Sequence, residues 1–293
     1  MKKSAQIKLM RNLSSQIISV NGYSLSYNKI GHGPRPAVLV HGWGSSKAWW
    51  QHLAERLAET HTCYVPDLIG FGGSTKPLEP AAFEIEHQAA TIAEFIQNLQ
   101  LGSVYVVGHS MGGMISVTLA HRYPSLVERL AVFNLVVTGR CGSFLRAGQL
   151  ALSLPVVGQS LYRLGLVTTQ RTLAMYRQSF KLMLARTNYL RQPAVEAFIL
   201  RTYPDYRDLP LHSFVFALRA FTSFDLRPFM AEVEQPTLVV CGREDKQIPP
   251  EDSQLLAAAV PNARLEWLSP AGHNPFVEYP DDCVRLVQTF AQQ

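Results

Sequence analysis

The sequence predicts an α/β protein: a mostly parallel sheet covered by helices on both faces and interrupted by one helical insertion. Three observations carry this. Short apolar runs alternate with segments of helical periodicity before residue 139 and again after residue 230. Those runs are continuously apolar, which suits strands buried on both faces. The stretch Gly139–Met230 differs, with Leu, Arg and aromatic residues at helical spacing and no β-rich run. The expected division is a core of residues 1–138 and 231–293 with a helical cap of residues 139–230.

The elements follow in order. Gln16–Val20 and Tyr23–Tyr27 alternate around Asn21-Gly22, a dipeptide that favours a two-residue hairpin turn. After the turn-prone GHGPRP, Ala37–Val40 reads as a strand that ends at His41-Gly42. Ala48–Thr60 has helical periodicity, and Thr62–Val65 is a strand closed by Pro66-Asp67. A loop rich in Gly and Pro, IGFGGSTKP, leads to Ile85–Leu99. That segment is amphipathic, with Ile85, Ala89, Ile92, Ala93, Ile96 and Leu99 apolar. Val104–Val107 is a strand, Met111–Tyr123 a helix, and Arg129–Val137 contains the next strand. Beyond the insertion, Thr237–Val240 and Leu265–Leu268 are strands, and Ser253–Val260 and Asp282–Phe290 are helices.

Of the 293 residues, 47% are hydrophobic and 17% charged, a balance that buries a large core and argues against a disordered chain. Cys63, Cys141, Cys241 and Cys283 are far apart and form no CxxC pair. Neither a zinc site nor a disulfide framework is indicated, and free buried thiols in a reducing compartment are expected. The N-terminal MKKSAQIKLMRNLSSQ is charged and no apolar segment of signal-peptide length follows. No stretch approaches the ~18 apolar residues of a membrane span. Leu150–Val157 is too short, and Pro155 interrupts it. The expectation is a cytoplasmic protein, soluble or peripherally attached to a membrane.

Gly108-His109-Ser110-Met111-Gly112-Gly113 lies between an apolar strand and a helix. A GxSxG nucleophile elbow needs that context. The turn is tight, so small residues are required two before and two after the serine, and Gly108 and Gly112 supply them. Ser110 then projects at a helix N-terminus, where backbone amides favour developing negative charge. A serine hydroxyl also needs a base. His109 adjoins Ser110, but at such a turn its side chain points elsewhere. His273, in a loop after the last strand, is the candidate base. Asp245, in Cys241-Gly242-Arg243-Glu244-Asp245-Lys246, is the candidate orienting acid, with Glu244 its competitor and a surface pair with Arg243 or Lys246 the bland alternative. No acidic residue follows the strand near Val137. The order Ser, Asp, His agrees with this assignment. The oxyanion hole needs two backbone amides, expected from Met111 and from Trp43 in the loop His41-Gly42-Trp43-Gly44. The Trp43 indole is a candidate wall of the acyl pocket, and His41 is expected to hold its loop.

Five segments together resemble the α/β-hydrolase superfamily: HGWG at His41–Gly44, DLIGFGGSTKP at Asp67–Pro77, GHSMGG at Gly108–Gly113, GREDKQIP at Gly242–Pro249 and AGHNPFVEYP at Ala271–Pro280. The resemblance covers most of the chain outside residues 139–230. It implies the α/β-hydrolase fold, with an eight-stranded sheet and a cap inserted after the sixth strand. Members with haloalkane dehalogenase or epoxide hydrolase activity carry an aspartate where this chain has Ser110, so that chemistry is disfavoured. Serine members include carboxylesterases, lipases, thioesterases, C–C bond hydrolases and cofactor-free perhydrolases. Others bind ligands or assist biosynthesis, so fold alone does not fix function. The reading is an ester or thioester hydrolase that uses no metal or organic cofactor.

The insertion carries many aromatic residues, which suggests an apolar acyl or aromatic substrate, although most such residues pack helices. It also holds 12 Lys and Arg against 4 Asp and Glu, a balance of +8 in a chain of net +5. A solvated face, an anionic lipid surface or an acidic acyl carrier protein would each suit that charge. Nucleic acid is not expected, because no recognised binding motif accompanies it.

Overall fold

The computed structural model describes residues 15–154 and 156–293. The reading of the N-terminal leader and the break at Pro155 lie outside these residues. Eight strands form one sheet: β1 (Gln16–Val20), β2 (Tyr23–Ile30), β3 (Arg35–Val40), β4 (His61–Pro66), β5 (Val104–His109), β6 (Val127–Phe133), β7 (Thr237–Gly242) and β8 (Ala263–Leu268). Their spatial order is β1-β2-β4-β3-β5-β6-β7-β8. β2 runs antiparallel to β1 and to β4, and every other pair is parallel. Asn21 and Gly22, at φ 51° and 79°, make the left-handed turn that joins β1 to β2.

The apolar strands divide their side chains between two cores with a period of two. Val38 and Val40 of β3, Val106 of β5 and Val239 of β7 belong to one core. Ala37 and Leu39, Tyr105 and Val107, and Leu238 and Val240 belong to the other. Helices α2 (Ile85–Asn98), α3 (Met111–Arg122) and α9 (Pro250–Ala259) contribute to the first core. Helices α1 (Gln51–Leu57) and α11 (Pro280–Ala291) contribute to the second. Both faces are covered, as the unbroken apolar runs require.

Between β6 and β7 come α4 (Ser143–Ser153), α5 (Val157–Arg171), α6 (Leu173–Ser179), α7 (Pro193–Arg207) and α8 (Leu211–Ser223). No strand occurs there among the described residues. The fourth of these helices, α7, is tied to the core by two polar bonds. The Arg201 guanidinium donates to the Ala48 carbonyl at 3.0 Å, and Ser46 Oγ donates to Asp205 at 2.5 Å.

Three local expectations need correction. The Ala48–Thr60 segment divides into a 3-10 turn, Lys47–Trp50, followed by α1. The strand within Arg129–Val137 is β6, which starts earlier and stops at Phe133. Asn134 takes φ 41° there and turns the chain out of the sheet. Leu135, Val136 and Val137 stay buried, but the amides of Val137 and Thr138 donate to Asp252 at 2.7 and 3.1 Å instead of to a strand. Finally, a one-turn helix, α10 (Pro275–Glu278), follows His273 and was too short to leave a periodic pattern.

Candidate active site

β5 delivers the chain into a tight turn at Ser110, from which α3 departs. Ser110 has φ 55° and ψ −122°, a strained conformation for a residue with a Cβ. The surrounding backbone leaves no room for larger neighbours. A Cβ on Gly108 would lie 2.4 Å from Ser116 Oγ, and one on Gly112 would lie 2.3 Å from the Val40 carbonyl oxygen. The Ser110 amide donates to Phe133 O at 2.9 Å, which fastens the turn to the end of β6.

Loops at the carboxyl ends of β6, β7 and β8 bring three further side chains to this point, the usual location of sites in parallel sheets. His273 Nε2 lies 3.1 Å from Ser110 Oγ, and His273 Nδ1 lies 2.8 Å from Asp245 Oδ2. A carboxylate only accepts, so Nδ1 carries the proton and Nε2 is free to accept from the serine hydroxyl. The Asp245 side chain is 1% exposed. It accepts from the amides of Gln247 at 2.7 Å and Ile248 at 3.1 Å and from Asn134 Nδ2 at 2.7 Å. The surface pair with Arg243 or Lys246 does not form. Glu244 faces away, accepting from Ser269 Oγ and the Ala271 amide.

Trp43 and Met111 present the two backbone amides expected near the serine, and neither has an acceptor among the described residues. The Gly42 backbone abuts the elbow, since a Cβ there would lie 3.2 Å from Ser110 Cβ. The Trp43 indole donates to the Phe214 carbonyl at 2.9 Å and packs edge-on against its ring. That bond braces the loop against α8. His41 holds the same loop from below. Its Nε2 accepts from the Leu68 amide at 3.0 Å and its Nδ1 lies 2.9 Å from Gly42 O. Burial lowers its pKa and keeps it neutral.

Three residues around the site escaped the sequence reading. Asn134 donates to Asp245 and to the Gly272 carbonyl, and its Oδ1 accepts from the Gly242 amide. One signal was available: a polar residue interrupts the apolar run LAVFNLVV at a strand end. His109 does point away from the hydroxyl, as expected, yet it reaches the candidate base. Its Nε2 donates to the His273 carbonyl at 2.9 Å, and the two rings are 4.7 Å apart. Burial, then repulsion from His273, holds its pKa well below the ordinary histidine value. Glu278 accepts from the amides of Gly272 at 2.6 Å and Ala185 at 2.8 Å, joining the His273 loop to the inserted helices. Burial pushes its carboxyl up to about 7, against the pull of those two amides. Nothing in its sequence context distinguished it.

An apolar cavity of about 290 Å³ is lined by residues of α4, α5 and α6 together with residues of the neighbouring loops. Its inner wall includes Trp43, Gly44, Met183 and Gln247. Two of these bond to the hydrogen-bonded chain: Met183 O accepts from the His273 amide at 2.8 Å, and the Gln247 amide donates to Asp245. Ser110 and His273, each 7% exposed, are not themselves among the lining residues. Of the inserted aromatics, Phe144, Tyr162, Tyr176 and Tyr206 line the cavity. Phe180, Phe198, Phe214 and Phe221 are buried in the packing instead.

Comparison with known proteins agrees with this architecture. A family profile described as alpha/beta hydrolase fold matches residues 36–280. The pimeloyl-[acyl-carrier protein] methyl ester esterase of Aeromonas hydrophila is 29% identical over 272 residues, covering 91% of this chain and 99% of that protein. Lipase 1 of Psychrobacter immobilis is 28% identical over 257 residues, covering 87% and 76%. Among solved structures, an esterase from Exiguobacterium antarcticum superposes with a TM-score of 0.80 at 21% identity, over 95% of this chain and 99% of that one.

Proposed function

Because the chain belongs to the α/β-hydrolase family, we propose that it is a serine hydrolase that cleaves carboxylic or thio-esters with an apolar acyl group. One observation carries the proposal: Ser110, His273 and Asp245 form a continuous hydrogen-bonded chain on a strained elbow beside the amides of Trp43 and Met111, which have no acceptor among the described residues. Relatives named as an ester esterase and a lipase support the same bond type.

The chemistry is two-step acyl transfer. Ser110 Oγ attacks the carbonyl carbon while its proton passes to His273 Nε2. The amides of Trp43 and Met111 donate to the carbonyl oxygen as it gains charge. Asp245 accepts from Nδ1–H throughout and stabilises the imidazolium. His273 then returns the proton to the leaving oxygen or sulfur, and the acyl-serine forms. Water enters, loses a proton to His273 Nε2 and attacks the same carbonyl. Ser110 leaves with that proton, and the carboxylic acid is released. The inserted helices act as a cap, and the apolar cavity beneath them holds the acyl chain. No step calls for a metal or organic cofactor.

The test is turnover of p-nitrophenyl esters of increasing acyl length by the wild type and by Ser110→Ala. The proposal expects wild-type turnover that rises and then falls with chain length, and a loss of about 10⁴-fold or more in the variant. Equal inertness of both proteins across the series would contradict it.

A further inference from the structure

Helices α4 and α5 form an antiparallel hairpin whose outer face is apolar at its tip and basic away from it. The pairing is close. A Cβ on Gly158 would lie 2.1 Å from Ala151 O, and one on Gly148 would lie 2.8 Å from the Tyr162 ring. Leu154 (58% exposed) and Val156 (76%) make the turn, and Leu150 (60%) stands one helical turn back on α4. On α5, Val157, Leu161 and Leu164 are 62–68% exposed and recur at i, i+4 and i+7 on one face. Packing does not account for this stripe, since monomeric soluble proteins rarely leave contiguous apolar surface uncovered.

The charge follows the same geometry. From Arg140 to Val195 the sequence has eight Lys and Arg and no Asp or Glu. Among the described residues only Arg177 of these eight has an acidic partner, Glu196. Arg146 continues the α4 stripe, four residues before Leu150, Arg171 continues the α5 stripe, seven after Leu164, and Arg163 is exposed on α5 next to Leu164. Arg146 therefore lies roughly 12 Å along the helix from Leu154. An apolar tip with a basic base at that depth matches a surface whose interior is hydrocarbon and whose headgroups are anionic. The cavity opens on the same face, since Phe144, Leu161 and Gly165 are exposed and also line it.

We propose that the α4–α5 hairpin docks on an anionic lipid bilayer, with Leu154, Val156 and Val157 entering the acyl region, so that the cavity mouth receives an acyl chain directly from the membrane. Delivery of the chain rests on the acyl-transfer reading above; docking does not. An acidic carrier protein would also answer the charge, but it would leave the apolar tip in water.

The test is co-sedimentation of the full chain with phosphatidylcholine vesicles, with and without phosphatidylglycerol. Three variants accompany the wild type: Leu154→Ser/Val157→Ser/Leu164→Ser, Arg146→Gln/Arg163→Gln/Arg171→Gln, and the inactive Ser110→Ala. The wild type and Ser110→Ala should bind the anionic vesicles equally, and the neutral ones at least ~10-fold more weakly. Each triple variant should lose at least ~10-fold in binding to the anionic vesicles. The apolar variant should keep wild-type turnover of a short water-soluble ester while losing turnover of a long-chain ester held in vesicles. The substituted side chains are exposed, so folding should survive, and circular dichroism checks it. Absence of vesicle binding by the wild type overturns the proposal. So does binding that the apolar triple leaves intact, or wild-type protein that ignores vesicles and instead dimerises or binds an acyl carrier protein through this face. Vesicle binding without ester turnover would sink the hydrolase reading and leave docking standing.

Discussion

At the scale of single residues, the proposed site depends on groups that fix the candidate base as much as on that base itself. Asn134 is the clearest case, because it supplies one of the donors to the buried Asp245 carboxylate. Asn134→Ala leaves that charge short of a donor and frees the Gly242 amide. A cost of about 1–3 kcal/mol in stability is expected, with a fall of roughly 10-fold in kcat/KM. Urea denaturation and ester kinetics measure the two effects separately. Asp245→Asn is expected to be harsher, near 10⁴-fold in kcat, because an amide favours the wrong imidazole tautomer. That Ser110, His273 and Asp245 would meet was legible in the sequence, because the proposed chemistry demands particular residue types in particular loops. Asn134, His109 and Glu278 were not. They act through backbone groups that any folded loop could have presented, and only the folded chain shows which ones meet.

At the scale of elements, the elbow and the His273 loop are held by close backbone contact and by one buried carboxyl. Gly112→Ala would drive a methyl group into the Val40 carbonyl, 2.3 Å away. The expected result is a loss of several kcal/mol, read as a large drop in the urea midpoint, with ester turnover falling as the elbow shifts. Glu278 makes a prediction in pH. Its folded pKa, about 7, lies above the ordinary carboxylate value. The folded chain therefore retains a proton that the unfolded chain releases between those two values. Stability from this group is greatest below the ordinary range and falls as pH rises towards about 7. Glu278→Gln cannot ionise, so its urea midpoint should change less between about pH 5 and pH 8 than that of the wild type. The elements themselves were legible where periodicity was long, as in α2, or where turn chemistry was strong, as at Asn21-Gly22. β6 was misjudged because residues 135–137 are as apolar as a strand and as buried. The Val137 amide is satisfied by Asp252, distant in sequence, and the Val136 amide by the Ser110 carbonyl.

At the scale of the whole molecule, the arrangement separates two tasks. The parallel sheet gathers Ser110, Asp245 and His273 at the carboxyl ends of three strands, and the inserted helices line an apolar cavity whose wall includes Met183 and Gln247, the bonding partners of His273 and Asp245. The sheet and its insertion were readable because burial on two faces leaves continuous apolar runs and an insertion breaks them. Which inserted aromatics face the cavity was not readable. Helical spacing reports that a residue packs, and it does not say whether against another helix or against a ligand. No described helix is long and apolar enough to cross a membrane.

The most direct test of the central claim is labelling of the folded wild-type protein with a fluorophosphonate, followed by peptide mass mapping. The account predicts about one equivalent of label on the peptide containing Ser110, slow labelling in Asp245→Asn, and none at that position in Ser110→Ala. A folded wild type that takes no label, or takes it on another serine, would contradict the assignment of Ser110 as an activated nucleophile.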